Sequence, residues 1–378
     1  MREIEQSFSV SYRYPVVFTR GAFNEGNSAL RDALLRAGEG PHRVLVVIDS
    51  NVLAATPELP GRLAAYAAAN PALLEPILEP YVLRGGEGCK EDLSWLPEIH
   101  SRIAERGICR HSFVFAIGGG SVLDAAGYAA ALAHRGVRLI RFPTTVLAQN
   151  DAGIGVKNAV NFQQRKNFVG TFVPPFAVVN DFDFLSTLDP RDMRSGAAEA
   201  VKVALIKDSE FFGKLHAGRE DLGRFEPKLM EDMIVRCAEL HLEHIRTSGD
   251  PFELGSARPL DFGHWAAHKL EELSGYDLRH GEAVAIGIAL DSSYCARRGM
   301  ISQAACDRIF ETLEAIGFGL SHSSLAVLDI KAALDDFRVH LGGELCICLL
   351  EGIGRSVDVG SIDIHEMQRC VDLLHDRG

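Results

Sequence analysis

The chain lacks the features that would hold it in a membrane or carry it across one. It contains no uninterrupted apolar run of about 18 residues, the length that a spanning helix requires. Its first residues, MREIEQSFSVSYRYP, lack the apolar core of a signal peptide. We therefore expect a cytoplasmic protein without a membrane partner. The 378 residues, 47% of them hydrophobic, suffice for two domains with separate cores.

Excess basic charge and metal-type cysteine spacing are also missing. The formal net charge of −12 disfavours nucleic acid or an anionic membrane as the main partner. A few local cations can still bind an anionic small molecule in such a protein. The eight cysteines show no zinc-finger spacing. Cys346 and Cys348 alternate through an apolar run, which favours core thiols in a strand and fits a reducing compartment.

Strand and helix patterns alternate in the first part of the chain. Short β-branched runs at 43–50, 77–86, 112–120 and 137–145 predict strands, and helical patterns lie between them. This alternation predicts a Rossmann-like, doubly wound parallel sheet. From about residue 185 helical periodicity dominates. We therefore predict an α/β domain over residues 1–184 and a mostly α-helical domain over residues 185–378.

A glycine turn follows the third predicted strand. Gly118, Gly119 and Gly120 would let backbone N–H groups approach a pyrophosphate at the start of a helix. The alternative is a tight strand–helix turn without a ligand, since this is not the G-x-G-x-x-G pattern. Polar residues at other strand ends favour a nucleotide site. These residues are Asp49, Asn51, Glu87 and Lys90.

Glutamate and histidine residues recur at helical spacing in the second part of the chain. Glu199 and Lys202 share a helix face, as do His264 and His268, and His280 enters an apolar helix. One carboxylate and two imidazoles suit a divalent metal with an open coordination position. Each group alone also fits a buried salt bridge or hydrogen-bonded core histidines.

These segments together resemble the dehydroquinate synthase superfamily of sugar phosphate cyclases. The resemblance extends from about Asp49 to Gly287, with the motifs in the family's order. It implies a homodimer that binds NAD and one divalent metal, Zn or Co. By family match the metal ligands are Glu199, His264 and His280.

The resemblance assigns further positions to the site. With the residues above, the cofactor-binding set is Asp49, Asn51, Glu87, Lys90, Gly118, Gly119, Gly120, Asp124, Thr144 and Thr145. The catalytic set is Lys157, Lys202, His268, Asp151 and Asn167. The substrate-binding set is Arg135, Lys166, Asp261 and Arg258. The first domain would thus bind NAD, and the second would bind the metal and the substrate.

The implied reaction is a cyclisation without net redox change. Transient oxidation of a sugar phosphate by NAD acidifies a neighbouring C–H, which permits elimination of phosphate. The hydride then returns, the ring opens, and an intramolecular aldol step closes a carbocycle. The metal would polarise the carbonyl and hold neighbouring hydroxyls.

Three departures from the family pattern concern the substrate. A family lysine has no clear counterpart, since the likely alignment runs through His241–His244. Where dehydroquinate synthases carry an arginine and an asparagine, this chain has Ala257 and Asp261. Arg258 is next to the first of these positions, but Pro259 constrains its backbone. Losing an arginine and gaining a carboxylate disfavours an acidic substrate. Relatives in this superfamily that use neutral substrates cyclise sedoheptulose 7-phosphate, so the resemblance implies this substrate and a valiolone-type C7 cyclitol such as 2-epi-valiolone as the product.

Three other functions remain open from the sequence. One is 3-dehydroquinate synthase, because His268 and Glu282 are retained as in those enzymes. Another is a metal-dependent alcohol dehydrogenase of the glycerol dehydrogenase type, which shares the glycine turn. The last is a catalytically silent homologue that acts as a binding or scaffold protein.

Overall fold

The computed structural model describes residues 1–163, 165–252 and 260–377. Contacts within the chain divide it into two compact units. Unit 1 comprises Met1–Pro143 and Val156–Asp181, and unit 2 comprises Thr144–Gly155 and Phe182–Gly378. None of the helices in the described part of the chain is long and apolar enough to cross a membrane.

A parallel sheet forms the core of unit 1. The strands of this unit are β1 Val16–Thr19, β2 Val44–Asp49, β3 Tyr81–Leu83, β4 Phe113–Gly118, β5 Arg138–Pro143, β6 Lys157–Phe162, β7 Arg165–Phe172 and β8 Ala177–Asp181. Six of them pair in parallel in the order β1-β8-β5-β4-β2-β3. All residues of β2 and β4 are buried, which explains their continuous apolar sequences.

The order of the strands reverses beside β2. From β2 the chain adds β3 on one side of the sheet and then β4 on the other. In open parallel sheets, ligands bind outside the carboxyl ends of the strands at such a reversal. Asp49 ends β2 and Gly118 ends β4, so both residues lie at this edge.

Helices and a hairpin complete unit 1. The helices are α1 Ala29–Leu35, α2 Ser50–Ala55, α3 Leu59–Ala69, α4 Trp95–Glu105 and α5 Gly120–Leu132. Strands β6 and β7 form a separate antiparallel hairpin. The fully buried Arg141 on β5 donates hydrogen bonds to the Lys157 carbonyl at 2.8 Å and to Asn158 Oδ1 at 2.7 Å. This arginine therefore ties the start of the hairpin to the sheet.

Unit 2 is mostly helical. Its helices are α6 Pro190–Lys207, α7 Ser209–Ala217, α8 Arg219–Gly223, α9 Pro227–Thr247, α10 His264–Leu273, α11 His280–Arg297, α12 Gln303–Ile316, α13 Ile330–His340 and α14 Ile364–His375. It also contains the antiparallel pair β9 Ile347–Gly352 and β10 Arg355–Val359. Helices α6 and α11 are buried over most of their length, and both carry candidate site residues.

The observed architecture confirms the predicted fold class, a Rossmann-like α/β part followed by a mostly helical part. The structure adds two parallel strands, β1 and β8, to the four predicted ones. Contacts group residues 144–155 and 182–184 with unit 2, whereas the predicted boundary lies between residues 184 and 185. The assignment of NAD binding to one domain and of metal binding to the other stays a prediction.

Candidate active site

Asp49 lies at the carboxyl edge of the sheet in unit 1. Its Oδ1 accepts a hydrogen bond of 2.8 Å from the Asn51 N–H, which caps α2. Burial raises the pKa of Asp49, while N–H groups of Asn51 and Gly119 oppose the rise. A Cβ atom at Gly118 would lie 2.8 Å from Val122 Cγ1 and 3.0 Å from Asp49 Cβ, so only glycine fits this turn. The predicted nucleotide residues of β2 and β4 thus lie side by side.

A buried lysine links three further predicted residues of unit 1. The Lys90 side chain is 3% exposed, and its Nζ lies 2.8 Å from Asp124 Oδ2. The same Nζ lies 3.7 Å from Glu87 Oε1 and donates a hydrogen bond to Asn167 Oδ1. Burial opposes the charge on Lys90, but Asp124 and Glu87 raise its pKa. Lys166 belongs to the same group, since its charge helps lower the pKa of Glu87.

Two residues that the sequence did not single out hold Glu87 in this group. Ser121 Oγ donates to Glu87 Oε2 at 2.7 Å, and Asn161 Nδ2 donates to Glu87 Oε1 at 3.4 Å. The Asn161 side chain also accepts the Asn167 N–H at 2.9 Å. The position of Ser121, directly after the glycine turn, is the one signal that could have identified it.

Four other predicted residues have different surroundings. Arg135 is exposed in the turn after α5, a 13-residue helix of about 20 Å that begins at the glycine turn. Lys157 is exposed at the start of β6. Thr144 and Thr145 belong to unit 2, where Thr145 Oγ1 accepts the Ala148 N–H at 3.1 Å. The role of Arg135 in phosphate binding therefore stays a prediction without support from its place in unit 1.

Glu199, His264 and His280 come together in unit 2. Glu199 lies in the buried stretch of α6, while His264 and His280 are the first residues of α10 and α11. Glu199 Oε1 lies 3.4 Å from His264 Nε2 and 3.2 Å from His280 Nε2. One ligand atom from each residue falls within 4.8 Å of the others. A single divalent ion fits this spacing, because zinc–ligand bonds are about 2.0–2.2 Å.

The contacts behind the two imidazoles also suit a metal. His280 Nδ1 lies 3.2 Å from Glu271 Oε2, and His264 Nδ1 lies 3.3 Å from the Phe262 carbonyl oxygen. When the Nδ1–H groups donate to these oxygens, the Nε2 lone pairs are left to coordinate. The three side chains therefore fit Zn²⁺ or Co²⁺, although their role as ligands stays a prediction.

Lys202 completes this cluster one helical turn after Glu199. The two side chains form a buried ion pair, with Lys202 5% exposed and Glu199 fully buried. Burial opposes the charge on Glu199, but Lys202 and His264 hold its pKa well below the usual value. Burial likewise opposes the charge on Lys202, but Glu199 and Asp151 raise its pKa. Both groups are therefore ionised at neutral pH.

Three further side chains surround this cluster. Burial opposes the charge on Lys202, and Asp261 adds to the effect of Glu199 and Asp151 in raising the pKa of this lysine. The His268 ring lies 5.4 Å from the His264 ring, measured between centroids. Asp151 Oδ1 lies 3.0 Å from Nδ1 of His241, a partner that the sequence patterns did not single out as a site residue. Ala257 and Arg258 lie outside the described residues.

Two protein families match the chain in succession. The family described as 3-dehydroquinate synthase N-terminal matches residues 80–195, and the one described as 3-dehydroquinate synthase C-terminal matches residues 196–337. Together the matches cover more than half of the chain and include both groups of side chains described above.

Individual relatives carry two different activities. The 3-dehydroquinate synthase of Paracoccus denitrificans is 36% identical, over 87% of this chain and 90% of that protein. The 2-epi-valiolone synthase of Actinosynnema mirum is 34% identical, over 90% of this chain and 87% of that protein. Since the two identities are nearly equal, overall similarity does not choose between the activities.

Solved structures show the same fold. The 2-epi-5-epi-valiolone synthase ValA of Streptomyces hygroscopicus, with NAD⁺ and Zn²⁺ bound, has a TM-score of 0.87 at 32% identity and covers 99% of this chain and all of that one. A 2-deoxy-scyllo-inosose synthase has a TM-score of 0.74 at 25% identity, over 95% of this chain and 96% of that one. A probable glycerol dehydrogenase of Sinorhizobium meliloti shares the fold alone, with a TM-score of 0.58 at 16% identity over 98% of this chain and 99% of that one.

Proposed function

The chain belongs to the 3-dehydroquinate synthase family of sugar phosphate cyclases, and from this premise we propose that it converts sedoheptulose 7-phosphate to a C7 cyclitol such as 2-epi-valiolone. We propose NAD and one divalent ion, Zn²⁺ or Co²⁺, as its cofactors. The NAD⁺ and Zn²⁺ bound to ValA support this choice, as do the glycine turn and the cluster around Glu199. The expected homodimer is part of the same proposal.

Each group of side chains has a part in the proposed reaction. When bound, NAD supplies hydride acceptance and return, and the metal supplies polarisation of a carbonyl. Asp49 and the Gly118–Gly120 turn would bind the cofactor. Glu199, His264 and His280 would hold the metal.

The charged residues beside these sites would handle the substrate. Because Lys202 keeps its proton, it would donate hydrogen bonds to a developing oxyanion. Lys166 and Asn167 would bind substrate oxygens, with Lys166 supplying positive charge for the phosphate. Asp151 and His241, hydrogen-bonded to each other, would pass a proton to or from a substrate hydroxyl.

The proposed preference for a substrate without a carboxylate rests on Asp261. Its carboxylate acts on Lys202 together with those of Glu199 and Asp151, so the surroundings of this lysine are already rich in negative charge. A substrate carboxylate about 4 Å from Asp261 would be repelled by on the order of 4 kcal/mol at an effective dielectric of about 20. A neutral polyol would instead donate a hydrogen bond to Asp261. This difference favours a seven-carbon sugar phosphate without a carboxylate.

Substrate preference tests the proposal directly. With NAD and Zn²⁺ or Co²⁺, we expect kcat/KM for phosphate release to be at least about 100-fold higher with sedoheptulose 7-phosphate than with 3-deoxy-arabino-heptulosonate 7-phosphate. Asp261→Asn should narrow this ratio, because it removes the repelling charge. Product identification by NMR would establish the carbocycle.

Other outcomes would point to the competing functions. A preference for the carboxylated substrate would establish a 3-dehydroquinate synthase. Net accumulation of NADH from a simple polyol, without release of phosphate, would establish an alcohol dehydrogenase.

A further inference from the structure

A buried carboxylate in unit 2 contacts neither the metal cluster nor solvent. Asp291 lies on α11 and is fully buried. Its Oδ2 accepts a hydrogen bond of 2.9 Å from the Gly263 N–H, and its Oδ1 accepts one of 2.9 Å from Trp265 Nε1. Both donors flank His264 in the sequence. Asp291 therefore holds the chain on either side of a proposed metal ligand.

The Gly263 bond reaches the His264 ring through one peptide group. The Gly263 N–H and the Phe262 carbonyl belong to the same planar unit, so fixing one fixes the direction of the other. This carbonyl lies 3.3 Å from His264 Nδ1. Asp291 thus orients the peptide that orients the imidazole.

Close packing between the two histidine-bearing helices leaves this peptide little freedom. Gly263 has φ 79°, and a Cβ atom there would lie 2.6 Å from the Gly287 carbonyl carbon on α11. Asp291 follows Gly287 by four residues and so lies on the same face of α11. His280 is the first residue of this helix. One helix therefore carries one histidine and holds the start of the helix that carries the other.

We propose that Asp291 is a positioning residue for the metal, which sets the orientation of His264 through the Phe262–Gly263 peptide. Metal binding by Glu199, His264 and His280 is part of the proposed function, so it is tested first in the unsubstituted protein. Groups behind a ligating histidine typically change metal affinity by about 10–100-fold.

Asp291→Asn is the most direct test, because both partners of Asp291 are donors. An asparagine offers one acceptor oxygen, and its NH₂ group would face the second donor. We expect the Kd for Zn²⁺, measured by competition with a chelator, to rise about tenfold or more. The visible spectrum of the Co²⁺-loaded protein should also change, because it reports ligand geometry.

Thr312→Val is the matched control. Thr312 is fully buried on α12, and its hydroxyl bonds to the Arg308 carbonyl on α12 at 2.7 Å and to His216 on α7 at 3.0 Å. This substitution should lower the melting temperature without changing the Kd for metal or the Co²⁺ spectrum. It separates loss of stability from loss of ligand orientation.

A second variant keeps the test decisive if Asp291→Asn fails to fold. Asp291→Glu keeps both acceptor oxygens but moves them by the length of one CH₂ group, which displaces the bond to the Gly263 N–H. Weaker metal binding and a changed Co²⁺ spectrum would support the role of Asp291, whereas values equal to those of the unsubstituted protein would overturn it. An unsubstituted protein that binds neither Zn²⁺ nor Co²⁺ would instead refute the metal site itself.

Discussion

Glu271 should affect the proposed metal site indirectly, through its contact with His280. Its side chain is 4% exposed, and Oε2 lies 3.2 Å from His280 Nδ1. A carboxylate in this position selects the tautomer with a free Nε2 and makes that nitrogen a stronger ligand. The buried charge of Glu271 should therefore contribute to metal affinity without touching the ion.

Glu271→Gln keeps an oxygen that can accept the His280 N–H but removes the charge. We expect metal affinity to fall about tenfold, since an amide raises the basicity of the imidazole less than a carboxylate does. Chelator competition with Zn²⁺ gives the Kd, and activity should return at saturating metal.

The next residue provides the control for this substitution. Glu272 is 59% exposed and pairs with Lys269, so Glu272→Gln should leave the Kd for metal unchanged. Equal affinities of the two variants would show that the Glu271–His280 contact does not tune the metal site.

The sequence predicted only part of this arrangement. The four-residue spacing of His264 and His268 predicted that they share a helix face, because helical geometry follows from residue order. The metal-ligating residue types on this helix and at Glu199 indicated a cluster. Glu271 follows on the same face as His268, but a glutamate in a helix is usually solvated and carries no distinguishing signal. The Asp151–His241 pair joins residues 90 positions apart, which no local pattern reveals.

The turn between β4 and α5 depends on the absence of a side chain. At Gly118 a Cβ would meet Val122 and Asp49 at 3.0 Å or less, so the strand, the helix and the β2 carboxyl end all meet there. The glycine is required by this close approach, since its φ is not in the left-handed region. A substitution should therefore disturb the whole edge of the sheet at the proposed nucleotide site.

Gly118→Ala should weaken NAD binding by about tenfold or more, because Val122 and Asp49 must both move. Isothermal titration with NAD would measure this loss. Binding of Zn²⁺ should be retained, since Glu199, His264 and His280 all belong to unit 2.

Gly61→Ala is the corresponding control within the same unit. Gly61 lies in α3 with open space around its Cβ position. Alanine there should stabilise the helix by about 0.5–1 kcal/mol and leave NAD binding unchanged. Unchanged NAD affinity in Gly118→Ala would contradict the assignment of this turn to the cofactor.

The elements that the sequence analysis did not predict are defined by long-range contacts. Strand β1 has only four residues, all half-buried, which is too short for a hydrophobic pattern. It is defined by its pairing with β8, a strand about 160 residues later in the chain. The segment Thr144–Gly155 continues directly from β5 but is held in unit 2 by long-range contacts. One of these is the Asn150 Nδ2 bond to the Gly196 carbonyl at 2.8 Å.

The net charge of the whole molecule does not give the local charge at the proposed substrate site. The chain carries a net charge of −12, yet Lys166 places a cation directly before Asn167 in unit 1, whereas the charge of Lys90 is balanced by Asp124 and Glu87. A phosphate would find a local attraction that a global field of the opposite sign does not provide. The excess of acidic residues thus disfavours polyanionic partners more strongly than it disfavours a small phosphate ester.

Metal removal should lower the stability of the folded molecule. A ligand at about 1,000 times its Kd stabilises the native state by about 4 kcal/mol, which for a unit of this size corresponds to roughly 8–16 °C in melting temperature. We therefore expect a chelator to lower the transition by about 10 °C in calorimetry. His264→Ala, which removes a proposed ligand, should melt near the temperature of the chelated protein and should not respond to chelator or added Zn²⁺. If the unsubstituted protein melted at one temperature with and without chelator, the cluster around Glu199 would be a structural ion-pair network and not a metal site.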